Sequence, residues 1–148
     1  MDSESISAGR HPDPIDVILR QDRAFGPEQI DYDLWLSTLM DPVRLLGSAD
    51  LGGRMLDHAA TIKQLQRVEA AARADGVTQL RTRILTHIQP AEDLAIVASM
   101  RDLLSDQNVV LSTSSVTWTM TRTKEAWLIS QIFFEGQAYS NRPGLQGS

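Results

Sequence analysis

The sequence predicts an α+β fold in which a curved antiparallel sheet wraps N-terminal helices and leaves an apolar cavity at its open end. Three observations carry this reading. As far as about residue 75, apolar residues recur every three or four positions, and from Val77 onward they alternate by two. Helical and strand patterns are segregated along the chain rather than interleaved. A chain of 148 residues, 42% of them apolar, is long enough to bury one core without staples.

The elements follow in order. Asp13-Pro14 starts a first helix, with an acceptor side chain at the cap and proline at the first helical position. Ile15, Ile18 and Leu19 continue it towards Gly26. Gly26-Pro27 opens a second helix, with Glu28 near its positive end and Ile30, Leu34, Leu36 and Leu39 on its apolar side; Asp41-Pro42 ends it. Val43 to Leu46 reads as a short strand before a turn bearing Gly47, Gly52 and Gly53. A third helix spans roughly 55–75, with Met55, Ala59, Ile62, Leu65, Val68 and Ala72 on one side and Gly76 as its stop.

In the strand half, Leu80, Ile84 and Ile88 share a face with Thr78, Thr82 and Thr86, opposite Arg81, Arg83, Leu85 and His87. Leu94 to Leu104 is a largely apolar strand covered on both sides. Val109 to Thr123 carries Val116, Trp118 and Met120 on alternate positions, and a tight turn at 123–125 leads to the last strand. There Trp127, Ile129 and Phe133 point one way and Leu128, Ile132 and Phe134 the other.

Composition narrows the function. Without cysteine there are no disulfides, thiolate nucleophiles or iron–sulfur clusters, a usage that fits a reducing cytoplasm. With 19 acidic and 14 basic residues, the chain is a poor partner for nucleic acid. No apolar run approaches the ~20 residues of a membrane helix, and 1–12 lacks the basic start of a secretory signal. Residues 1–12 and 138–148 read as flexible tails around a single domain at 13–137. Metal-ligand spacings such as H-x-H are missing, so no metal or cofactor is expected.

Three stretches carry a family resemblance: YDLWLSTLMDPV (32–43), LRTRILTH (80–87) followed by DLAIVASM (93–100), and VTWTMTRTKEAWLISQIFF (116–134). They resemble the nuclear transport factor 2-like superfamily, a cone-shaped, cystatin-like α+β fold. Two branches fit: the SnoaL-like and scytalone-dehydratase-like group of isomerases, cyclases and dehydratases, and the β subunit of ring-hydroxylating dioxygenases. The enzymatic branch implies an acid/base pair facing the cavity. Its carboxylate position, four before Tyr32, is Glu28, where Asp is usual. Its histidine position is Ile84, and His87 stands where Asn is expected three residues on. These departures mean either a relocated pair, Glu28 with His87, or loss of catalysis.

The resemblance therefore implies a small apolar substrate handled by Glu28, His87 and an orienting Tyr32, with Trp35, Trp118, Leu85 and Phe133 as substrate contacts. Each has a plainer alternative. Carboxylates are common in first helical turns, Tyr32 suits a half-buried helix position, and Arg81 and Arg83 suit a salt-bridged strand face. A second reading is a non-catalytic subunit like the dioxygenase β chain, and a third is a ligand-binding module. Each carries a homo-oligomer, a dimer or a trimer, as its assembly.

Overall fold

Helix α1 (Pro14–Ala24) forms as its local signals dictate: the Asp13 carboxylate accepts from the Ile15 N–H at 2.9 Å, and Pro14 occupies the first turn. It buries Val17, Ile18, Gln21 and Ala24 along one stripe. The computed structural model describes residues 13–47, 53–124 and 126–135; the tails predicted over 1–12 and 138–148, and Gly52 of the predicted turn, lie outside the described residues.

The predicted second helix is shortened to α2 (Tyr32–Leu36), capped by the Asp31 carboxylate, which accepts from the Leu34 N–H. The physical reason is long-range. Arg73, on the third helix, donates to the Gly26 carbonyl at 2.7 Å and to the Pro27 carbonyl at 3.0 Å. Those acceptors are thereby withdrawn from any helical ladder, and an isolated bridge pairs Phe25 with Ile30. Gly26 also lacks room for a Cβ, which would lie 2.8 Å from the Gln29 carbonyl oxygen.

Asp41-Pro42 does not end a helix. It is a cis peptide inside strand β1 (Leu39–Leu46), in the stretch between Leu39 and Arg44 where the ladder to the last strand is irregular. Proline is tolerated there because no ladder bond is demanded of it. Strand β2 (Arg54–Leu56), absent from the sequence reading, precedes α3 (His58–Ala74), so the third helix starts later than 55. The Asp57 carboxylate caps α3 by accepting from the Ala60 N–H, and Gly76, at φ 93°, follows its end.

The remaining strands are β3 (Gln79–Ala91), β4 (Leu94–Leu104), β5 (Val110–Thr123) and β6 (Ala126–Glu135). The sheet order is β2-β1-β6-β5-β4-β3. The sheet is mixed rather than wholly antiparallel, because β1 runs parallel to β6. Its inner face carries Val97, Val116, Trp118, Met120 and Ile129, all buried in one apolar cluster with Val17 and Ile18 of α1 and Trp35 of α2.

Two bulges reset the predicted faces. Ile84 pairs with Ser99 and Thr86 with Ala98, so Leu85 is an extra residue and His87, opposite Val97, turns to the face of Thr82 and Ile84. Thr119 pairs with Gln131 and Met120 with Ile129, so Ser130 is extra in β6. Ile132 and Phe134 therefore join Trp127 and Ile129 on the inner face, and Phe133 does not.

Where β1 leaves the sheet, Gly47 has φ 129° and lies against β6; a Cβ there would stand 2.3 Å from the Phe134 carbonyl oxygen. Both the backbone angle and the close approach require glycine. Gly47→Ala is expected to cost about 2 kcal/mol or more, read as a lower urea midpoint at unchanged slope.

Candidate functional site

Helices and sheet enclose a cavity of about 190 Å³. Its wall is overwhelmingly apolar, built from residues such as Ile30, Trp35, Leu56, Val116, Trp118 and Phe134. Among the described residues just two charged side chains line it, Glu69 from α3 and Arg101 from β4.

Glu69 sits on the helical stripe of Leu65 and Ala72 and is 12% exposed. One carboxylate oxygen, Oε2, accepts from the Ile30 N–H at 3.1 Å and from Arg73 Nε and Nη2 at 3.2 and 3.0 Å. The other, Oε1, accepts the Tyr32 hydroxyl. Burial, reinforced by the Glu69 carboxylate, pushes the Tyr32 phenol up to about 12, so it stays protonated as the donor of this bond.

Arg101 is 8% exposed, although β4 reads as an apolar strand. Inward alternation places it with Val97, Ser99 and Leu103. Its Nε donates to Thr82 Oγ1 at 3.0 Å, Nη1 to Gln21 Oε1 at 3.1 Å and Nη2 to Asp22 Oδ1 at 3.3 Å. The guanidinium lies 4.9 Å from the Trp118 ring centre and 5.7 Å from that of Trp35. Burial lowers its pKa, and Asp22 opposes that shift. Gln21 is itself fixed by donating to Thr38 Oγ1 at 3.0 Å. Trp118 is oriented by its indole N–H, which donates to Ser99 Oγ at 3.0 Å.

The expected residues are distributed as follows. Trp35 and Trp118 line the cavity. Tyr32 stands behind the wall and reaches it through Glu69. Glu28 is exposed on the turn that replaces the predicted helix, outside the cavity lining. His87 has the inner-face direction that its bulge provides, but it is exposed on the outer half of edge strand β3 and does not line the cavity. Glu28 and His87 are therefore not assembled as a pair. Leu85, the bulge residue, is 60% exposed, and Phe133 yields its place in the lining to Phe134.

Sequence reasoning missed Glu69 and Arg101. A signal existed for each: a carboxylate next to the helical core stripe with arginine four residues on, and a lone cation in an apolar strand. Among the described residues, no group of three or more His, Cys, Asp or Glu is arranged to hold a metal ion, and no helix is long and apolar enough to cross a membrane.

Neither a protein-family model nor a curated protein sequence matches the chain. Solved structures do. A nuclear transport factor 2-like protein of unknown function from Shewanella oneidensis superposes with a TM-score of 0.61 at 14% identity, over 92% of this chain and 100% of that one. TerC, co-crystallized with polyporic acid, gives a TM-score of 0.56 at 17% identity, covering 90% of this chain and 98% of its own. A ketosteroid isomerase-like protein from Erwinia carotovora atroseptica gives 0.54 at 14% identity, over 88% and 91%. At such identities the likeness establishes the fold: the chain has the nuclear transport factor 2-like, cystatin-like architecture.

Proposed function

We propose that this protein holds a small, largely apolar molecule in the cavity and rearranges it by cofactor-free acid/base chemistry of the isomerase, cyclase or dehydratase kind. Glu69 and Tyr32 take the roles first expected of Glu28 and His87. The observation that carries this reading is Glu69 itself, the one carboxylate among the described residues lining a largely apolar wall. Its Oε2 is saturated by three N–H donors, whereas Oε1 accepts from Tyr32 alone and retains a lone pair for a ligand proton. The protonated Tyr32 hydroxyl steadies the carboxylate while that proton is taken or returned. A ketosteroid isomerase-like protein and a protein crystallized with polyporic acid share the fold, which supports a pocket for small molecules.

One observation favours a second reading, a ligand-binding module without turnover: the Arg73 fork and the Ile30 N–H occupy Oε2 and tie the Glu69 carboxylate into the structure of the wall. Titration with a panel of small apolar ketones, read by quenching of Trp35 and Trp118, tests the pocket. Turnover of those that bind tests the chemistry. Glu69→Gln is expected to bind with little change and to lose about 10²-fold or more in turnover, and Tyr32→Phe to lose less. Full turnover in both variants would overturn the assignment to Glu69 and Tyr32, binding without turnover of any compound would leave the binding module standing, and no quenching by any compound would remove the pocket reading.

A further inference from the structure

Arg101 presents the cavity with more donors than the protein satisfies. A guanidinium has five N–H groups. Among the described residues three have partners, on Thr82, Gln21 and Asp22, which leaves one N–H on each terminal nitrogen. Both terminal nitrogens belong to a side chain that is nine-tenths buried and forms part of the cavity wall. A buried donor without an acceptor is costly, and although Ser114 lies across the strand pair from Arg101, no described residue accepts from these two N–H groups. The charge, by contrast, is already met by Asp22, itself held by the Thr82 N–H and hydroxyl at 2.8 Å each. The two remaining N–H groups suit a neutral acceptor rather than a second counter-ion.

We propose that Arg101 recognises a carbonyl-type oxygen on an otherwise apolar ligand and so fixes which end of that ligand enters the cavity at β4. The inference rests on the pocket reading above and adds the ligand's polar group to it. Trp35 and Trp118, with ring centres 5.7 and 4.9 Å from the guanidinium, shield the contact from water and help hold its plane. Glu69, on the opposite helix α3, then meets the part of the ligand away from that oxygen.

The test uses two probes of one shape, 2-acetylnaphthalene and 2-isopropenylnaphthalene, which differ in a C=O against a C=CH₂. Equilibrium dialysis against the full chain is expected to show the ketone binding about tenfold or more tighter, the ratio that one hydrogen bond to a charged donor supports. In the double variant Asp22→Asn/Arg101→Met, which removes both charges and strands neither, the ratio is expected to fall to near one. Equal binding of both probes to the natural protein overturns the proposal and leaves the pocket reading intact. A ratio that survives in the double variant overturns the assignment to Arg101. Failure of both probes to bind removes the pocket reading and this inference together.

Discussion

Asp22→Ala is expected to destabilise the protein by about 3–5 kcal/mol, the cost of stranding one partner of a buried ion pair. Asp22 is the anion facing Arg101, and the two side chains are 16% and 10% exposed. With Asp22 gone, a guanidinium remains against Trp35 and Trp118 and cannot shed its proton at any working pH. The Thr82 N–H and hydroxyl lose their acceptor as well, which unties β3 from α1. Arg101→Met alone is expected to cost less, because Asp22 keeps both Thr82 donors. The double variant Asp22→Asn/Arg101→Met is expected to regain much of the loss, giving a coupling energy of about 1–3 kcal/mol in a urea-unfolding cycle. Additive single-variant losses would show that the pair contributes no coupling.

That pair also shows where sequence reasoning reached its limit. The helix stripes, the change of period near Val77 and the last hairpin are local signals, and the fold follows them. Trp35 and Trp118 reach the cavity because α2 and the alternation of β5 are regular at those points. The features that escaped are non-local. α2 is short because Arg73, more than forty positions along the chain, takes the Gly26 and Pro27 carbonyls. The bulges at Leu85 and Ser130 leave no mark in the residue pattern, yet each reverses the faces beyond it. His87 and Phe133 were assigned by uninterrupted alternation, and both assignments change at these bulges. Arg101 is tolerated within its strand because Asp22, 79 positions earlier, lies across from it.

On the outer face of the sheet a second carboxylate is held in a different way, and it sets the expected response to acid. Asp102 is 1% exposed and accepts five hydrogen bonds: Arg81 Nε and Nη2 at 3.1 and 2.9 Å, Arg83 Nε and Nη2 at 2.9 Å each, and Thr113 Oγ1 at 2.8 Å. The hydrogen bonds from Arg83 lead in holding its carboxyl far below the usual carboxylate range, with Arg81 and Thr113 adding to them against the opposing effect of burial. A depressed folded-state pKa contributes stability that is fully present above the unfolded value of about 3.9 and is lost as pH falls from there towards the folded one. The two arginines are half-exposed, which screens the pair and limits its worth. Asp102→Asn is therefore expected to cost about 2 kcal/mol at pH 7. It is also expected to flatten the decline in stability between about pH 4 and pH 2, so that the two proteins converge in acid. Urea unfolding of both proteins at pH 7, 4, 3 and 2 measures this, and a gap that stays constant across the series would show that the clamp acts through packing rather than through the ionised carboxylate. The contrast with Arg101 is one of surroundings: outside the sheet water shares the arginine charge and one substitution is tolerable, whereas at the cavity wall Asp22 is the one anion among the described residues that balances it.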